Sequence, residues 1–252
     1  MNIGIFLGSF NPPHIGHLSL VYEALDTKMV DKVIVVPAFR NPWKSRGIAI
    51  EDMTGWSLDR EFYFRHAMCK AMFSDLIKSD KVIVSDVEYD IWRQNHKYED
   101  DCIYSHETLN HISSHWREVL GIGDEEDKPA EKPKFILVTT SETLATMRDW
   151  ANGDYILAHW PIMPMSTKTM SDELLGKSHF GDKNAEYVVD NYAFYPIPDF
   201  KIHSTELRDR FTRGKTLFPF INRGVWEIIT SKDNYQQVVK MYNNLTNNKK
   251  AN

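Results

Sequence analysis

An apolar run, Ile3 to Leu7, stops at Gly8-Ser9-Phe10-Asn11-Pro12-Pro13-His14-Ile15-Gly16-His17, after which apolar residues recur at helical spacing. The stretch reads as a strand, a turn shaped by glycine and proline, and a helix start, with two imidazoles delivered where strand and helix meet. The first turn of a helix has backbone N–H groups without partners inside the helix and carries partial positive charge. Such a junction holds anions, so a phosphate-handling site is the first expectation.

The rest of the chain repeats the same alternation. Lys32 to Pro37, Lys81 to Val84 and Phe135 to Val138 have the continuous branched character of strands covered on both faces, which implies a parallel sheet. Helical spacing predicts helices from Leu18 to about Met29, Glu61 to Ile77, Ser105 to Val119 and Glu142 to Trp150. Tyr155 to Ala158 is expected as a strand, with one or two further extended pieces at Tyr187 to Val189 and Tyr195 to Ile197. Between Met163 and Lys183 only a weak helix near Ser171 to Leu175 is expected. Helices at Ser204 to Phe211, Asn222 to Thr230 and Tyr235 to Leu245 close the chain. The pattern predicts an α/β fold in one domain, 1–252: a doubly wound, mainly parallel sheet with helices on both faces. It carries an exposed loop near 121–134 and a C-terminal helical part from about residue 204.

Composition narrows the function classes. Forty-two per cent hydrophobic and 26% charged residues are those of an ordinary soluble globular protein, and the net charge of −5 gives no field that would draw in nucleic acid. Cys69 and Cys102 have neither metal-ligand nor disulfide-framework spacing and read as inert thiols of a reducing compartment. A basic leader followed by a long apolar segment is missing ahead of the first strand, and no apolar run has membrane-spanning length, so no membrane partner and a cytoplasmic location are expected. Homo-oligomerisation is left open.

Two clusters carry chemistry. Gly8 and Gly16 stand where a side chain would block close approach, and Pro12 and Pro13 stiffen the turn. His14 and His17, three apart at a helix start, can face one pocket, where neutral rings donate N–H to phosphate oxygens and protonated rings add charge. The plainer reading is a capping turn with two satisfied histidines; zinc would need a third ligand that the neighbouring sequence does not offer. The second cluster is Ile202-His203-Ser204-Thr205-Glu206-Leu207-Arg208, where a Ser/Thr helix start offers hydroxyl and backbone donors and Arg208 adds a fork of charged donors one turn on.

Together, Gly8 to His17 and Ser204-Thr205-x-x-Arg208 resemble the two signatures of the nucleotidyltransferase superfamily whose hallmark is His-x-Gly-His. Within it, the double proline, Val36 to Lys44, Tyr104 to Leu109, and Phe135 to Val138 leading to Trp150 resemble the nicotinate/nicotinamide mononucleotide adenylyltransferases. The likeness runs from about Asn2 to Thr230 and is poor at 121–134 and 163–183.

The resemblance implies transfer of AMP from ATP to a pyridine mononucleotide, with pyrophosphate leaving and Mg²⁺ on the phosphates. It implies that His14, His17, Lys44 and Arg208 are catalytic. ATP would be bound by Gly8, Ser9, Phe10, His14, His17, Ser204, Thr205 and Arg208, and the pyridine mononucleotide by Asn11, Lys44, Tyr104, Ser105, Thr108 and Trp150. Two departures from the family pattern stand out. Val138-Thr139-Thr140 stands where many bacterial members have Gly-x-Asp, removing a carboxylate expected near the ribose, and Ser9 and Asn11 replace the common Thr and Asp. The rival expectations are another phosphorylated acceptor, such as phosphopantetheine, and a non-catalytic nucleotide-binding regulatory domain.

Overall fold

The computed structural model describes residues 1–40, 55–95, 102–122 and 131–248. Six strands, β1 (Asn2–Gly8), β2 (Lys32–Pro37), β3 (Val82–Val84), β4 (Lys134–Thr140), β5 (Ile162–Ser166) and β6 (Tyr195–Pro196), form one sheet in the order β3-β2-β1-β4-β5-β6. Every neighbouring pair is parallel, and Ile5 of β1 stands opposite Ile34 on one side and Leu137 on the other. The order reverses between β1 and β4, which places a ligand crevice beyond the carboxyl ends of those two strands.

The branched runs are explained by two cores, one on each face. Val33, Val35 and Val138 face one core, while Ile34, Val36 and Leu137 face the other. A strand buried on both sides has no polar face to alternate with. Gly4 permits the close fit in the first core, since a Cβ there would lie 2.9 Å from a Val138 methyl.

Helices cover both faces: α1 (Ile15–Asp26), α2 (Leu58–Met72), α3 (Ser74–Lys78), α4 (Val87–Asn95), α5 (Ser105–Ser114), α6 (Trp116–Val119), α7 (Ser141–Thr146), α8 (Gly153–His159), α9 (Lys168–His179), α10 (Lys183–Asn191), α11 (Ser204–Thr212), α12 (Arg223–Thr230) and α13 (Tyr235–Asn248). None among the described residues is long and apolar enough to cross a membrane. The doubly wound architecture expected from the sequence is present.

Several elements differ from expectation. Tyr155 to Ala158 is helical, not a strand: in α8 only Gly153 and Ile156 are buried, a spacing of three that belongs to a helix. The strand instead follows at β5, whose Met163-Pro164-Met165 core lacks the branched residues that mark a strand in sequence. Tyr187 to Val189 is likewise helical, within α10, because Asp182 caps its start by accepting from the Asn184 and Ala185 N–H groups and Ala185 and Val188 bury one face. Residues 168–179 form a full helix capped by Thr167, longer than the weak one expected. The expected helix at 61–77 is two, α2 and α3, separated at buried Phe73, and that at 105–119 is α5 and α6. The helix expected to reach Trp150 ends at Thr146, with a 3₁₀ turn over Met147–Asp149. Helix α4 was not foreseen.

Arg65 of α2 fastens the carboxyl ends of β1 and β2. It is buried and paired bidentately with Glu61, Nε to Oε1 at 2.7 Å and Nη2 to Oε2 at 2.8 Å. Its Nη1 donates to the Ser9 and Ala38 carbonyls at 3.2 and 2.6 Å, and Nη2 donates to the Phe39 carbonyl at 2.9 Å. It is thus neither a surface charge nor a free phosphate ligand. Arg65→Ala is expected to destabilise the fold by about 3 to 5 kcal/mol, read by urea unfolding, because Glu61 is left buried without its counter-charge.

Candidate active site

The loop after β1 is held by its own side chains. Phe10 adopts a left-handed backbone, φ 45°, and its buried ring lies edge-on to Phe6 at 5.2 Å and to His17 at 5.0 Å. The ring therefore belongs to the core, and the backbone is what Phe10 can offer a nucleotide. The next peptide bond, Asn11-Pro12, is cis. Gly8 is required by this packing, since a Cβ would lie 2.9 Å from the Phe10 ring.

His14 caps α1. Its Nδ1 accepts from the Gly16 N–H at 3.2 Å, and the His17 Nδ1 accepts from the His14 N–H at 3.1 Å. A ring nitrogen that accepts carries no proton, so each neutral imidazole has its proton on Nε2. The rings lie 3.8 Å apart. Burial, helped by nearby His203, pushes the His14 pKa down to about 3, so His14 stays a neutral donor at physiological pH.

The second cluster docks onto this loop. Ser204, at the start of α11, donates through Oγ to the Pro12 carbonyl at 2.9 Å. Arg208, 197 positions from Asn11, donates from Nη1 to the Asn11 carbonyl at 2.6 Å and from Nη2 to Thr205 Oγ1 at 3.0 Å. Only 2% of Arg208 is exposed, and burial lowers its pKa from the ordinary 12.5. The Ile15 N–H is held from the same side by the Phe220 carbonyl at 2.8 Å. The two signature segments thus meet at the carboxyl end of β1.

Across the strand-order reversal, the end of β4 presents hydroxyls. Thr140 caps α7 by accepting from the Thr143 N–H at 3.2 Å, and buried Ser141 and Ser166 share a 2.7 Å hydrogen bond that Ser171 joins at 2.8 Å. Among the described residues no group of three or more His, Cys, Asp or Glu is placed to hold a metal ion.

The remaining candidates divide. Thr108 is fully buried and donates to Glu88 Oε1 at 2.8 Å, while Glu88 Oε2 accepts from the Phe39 N–H at 2.7 Å. Thr108 therefore ties α5 to the end of β2. Tyr104 is exposed and directly precedes Ser105, the first residue of α5; its N–H is capped by Glu107 at 2.9 Å. His106 contacts Asn152 at 2.9 Å, bringing that helix start beside the turn that carries half-buried Trp150, whose Nε1 donates to Thr146 at 3.2 Å. Asn11 is buried, with its amide directed at Met241. Lys44 lies outside the described residues. Sequence reasoning missed Glu88, the Ser141–Ser166 pair and the part Arg65 plays at the strand ends. An isolated Glu or Ser carries no local signal of the strand end it will reach.

Against this geometry, the sequence profile described as cytidylyltransferase-like matches residues 5–210. The chain belongs to that family. Among the family's relatives it is 26% identical over 235 residues to a probable nicotinate-nucleotide adenylyltransferase of Cytophaga hutchinsonii, covering 93% of this chain and 98% of the relative. Its fold resembles that of Plasmodium falciparum nicotinic acid mononucleotide adenylyltransferase complexed with NaAD, at a TM-score of 0.59 and 16% identity, over 93% of this chain and 97% of the other. The same Plasmodium enzyme complexed with APC gives a TM-score of 0.58 at 15% identity over the same shares.

Burial raises the Glu88 pKa from 4.5 to about 7, with the Phe39 N–H, Thr108 and Arg65 opposing the rise. The folded state therefore holds this proton between pH 4.5 and 7 while the unfolded chain has lost it. The stabilisation is complete below pH 4.5 and disappears as the pH rises through 7. Glu88→Gln removes the titration. The unfolding free energy of the wild type relative to this variant is expected to fall by on the order of 2 kcal/mol from pH 5 to pH 8, measured by urea unfolding at both values.

Proposed function

We propose that the protein transfers the adenylyl group of MgATP to nicotinate or nicotinamide mononucleotide, forming the dinucleotide and releasing pyrophosphate. The observation that carries the reading is the meeting of the two Nε2-protonated imidazoles, the start of α11 and Arg208 on one loop at the carboxyl end of β1. These groups are hydrogen-bond donors or cations, which suits a triphosphate rather than a cationic or apolar ligand.

The attacking group in this reaction is a phosphate oxygen that is already anionic at neutral pH. It forms a bond to the α-phosphorus of ATP while the bond from that phosphorus to the pyrophosphate oxygen breaks. No general base is needed, so the protein's task is to align the two phosphates and stabilise the charge that develops. His17 would donate from Nε2 to the transferring and leaving phosphates, with His14 assisting as a neutral donor. Arg208 has five N–H groups, of which two are engaged by protein oxygens, and its fixed charge would face the leaving pyrophosphate. The resemblance assigns Lys44 to the same phosphates. Mg²⁺ enters as part of the substrate, since it binds through phosphate oxygens and keeps much of its water.

The acceptor is supported by the full-length similarity to nicotinate-nucleotide adenylyltransferases and by the neighbouring turns that present Tyr104, Ser105 and Trp150. A half-buried indole with its Nε1 anchored offers a flat face to an electron-poor pyridine ring.

Pyrophosphate release from MgATP, measured across a panel of phosphorylated acceptors, is expected to be fastest with one of the two pyridine mononucleotides. Fastest release with phosphopantetheine would assign a different acceptor, and ATP binding without release would mark a binding domain. His17→Ala is expected to lower kcat by roughly 10² to 10³, the loss typical of one transition-state donor. The same variant should remain folded, since one helix-capping bond is worth about 1 kcal/mol.

A further inference from the structure

Helix α13 lies beyond the residues that the family profile matches, yet it packs along α11 and reaches the loop after β1. Met241 Sδ receives the Asn11 amide at 3.7 Å. Tyr242 is fully buried, and its ring stands edge-on to Phe211, 5.6 Å away and about one helical turn past Arg208. Three buried side-chain atoms here have no hydrogen-bond partner among the described residues: Asn11 Oδ1, Arg208 Nε and the Tyr242 hydroxyl. They are complementary, being an acceptor, a donor and a group that is both. Packing alone does not explain a tyrosine at this position, because phenylalanine would fill the same space without burying an unsatisfied hydroxyl. Tyr242 and Arg208 act electrostatically on one another, and Glu61 also acts on the tyrosine.

We propose that Tyr242 is a positioning residue for Arg208: its hydroxyl is the acceptor to which the Arg208 Nε–H turns when the guanidinium engages nucleotide phosphate. The C-terminal helix thereby becomes part of the phosphate site. This rests on the adenylyl-transfer reading, because it requires a triphosphate at Arg208.

The test uses full-length Tyr242→Phe. MgATP binding is measured by calorimetry without acceptor, followed by kcat and KM for each substrate and by the melting temperature. The Kd and KM for ATP are expected to rise about tenfold, the weight of one hydrogen bond to a charged group. The acceptor KM should stay within twofold, and the melting temperature should equal or exceed that of the wild type. On an Arg208→Lys background, Tyr242→Phe should add less than a twofold change. ATP binding that differs less than twofold between wild type and Tyr242→Phe overturns the inference and leaves the transfer reading standing. So does a lower melting temperature accompanied by equal losses for both substrates, which marks a purely structural tyrosine. A wild-type protein that binds no MgATP overturns the transfer reading itself, and the inference with it.

Discussion

The ion pair between Arg65 and Glu61 is the joint on which the site depends. A parallel sheet leaves its carboxyl-end carbonyls without partners once the strands diverge, and a buried carbonyl without a donor is costly. Arg65 supplies donors to three of them, on Ser9, Ala38 and Phe39, while Glu61 neutralises the charge this brings inside. Helix α2 is therefore bound to the ends of the two strands whose following loops shape the crevice. Ser9 is the second residue of the signature turn, so the position of the imidazoles depends on a charge pair buried beneath that turn.

A second division of labour separates charge from hydrogen bonding. His14, kept neutral by burial, contributes a directional donor without positive charge. In the proposed reaction Arg208 would contribute charge that its burial makes effective, because a cation screened from water interacts more strongly with an incoming anion. Its contacts with Asn11 and Thr205 hold it beside the loop, which would lower the ordering cost of the proposed binding.

Much of this was legible in the sequence, and the exceptions have physical causes. The β1 turn, the branched strands and the Ser204 to Arg208 helix start announce themselves by local chemistry, and the structure brings both signature segments together as their resemblance implies. Tyr155 to Ala158 and Tyr187 to Val189 misled because a run of three or four apolar residues fits either period. Strand β5 escaped notice because methionine and proline carry no strand preference. Arg65 and Glu88 were opaque for another reason: their meaning lies in which distant carbonyl or amide each one meets, and that is a property of the assembled sheet.

The cap on α1 has a consequence for what can occupy position 14. The Gly16 amide needs an acceptor there, and lysine and arginine have none. The two strongest phosphate-binding side chains are thus barred from the residue nearest the helix start by the helix itself. Imidazole meets both demands at once, taking a proton donor on one nitrogen and offering one from the other. In the proposed reaction positive charge must accordingly come from elsewhere in the chain, and among the described residues Arg208 would supply it from a helix almost two hundred positions away.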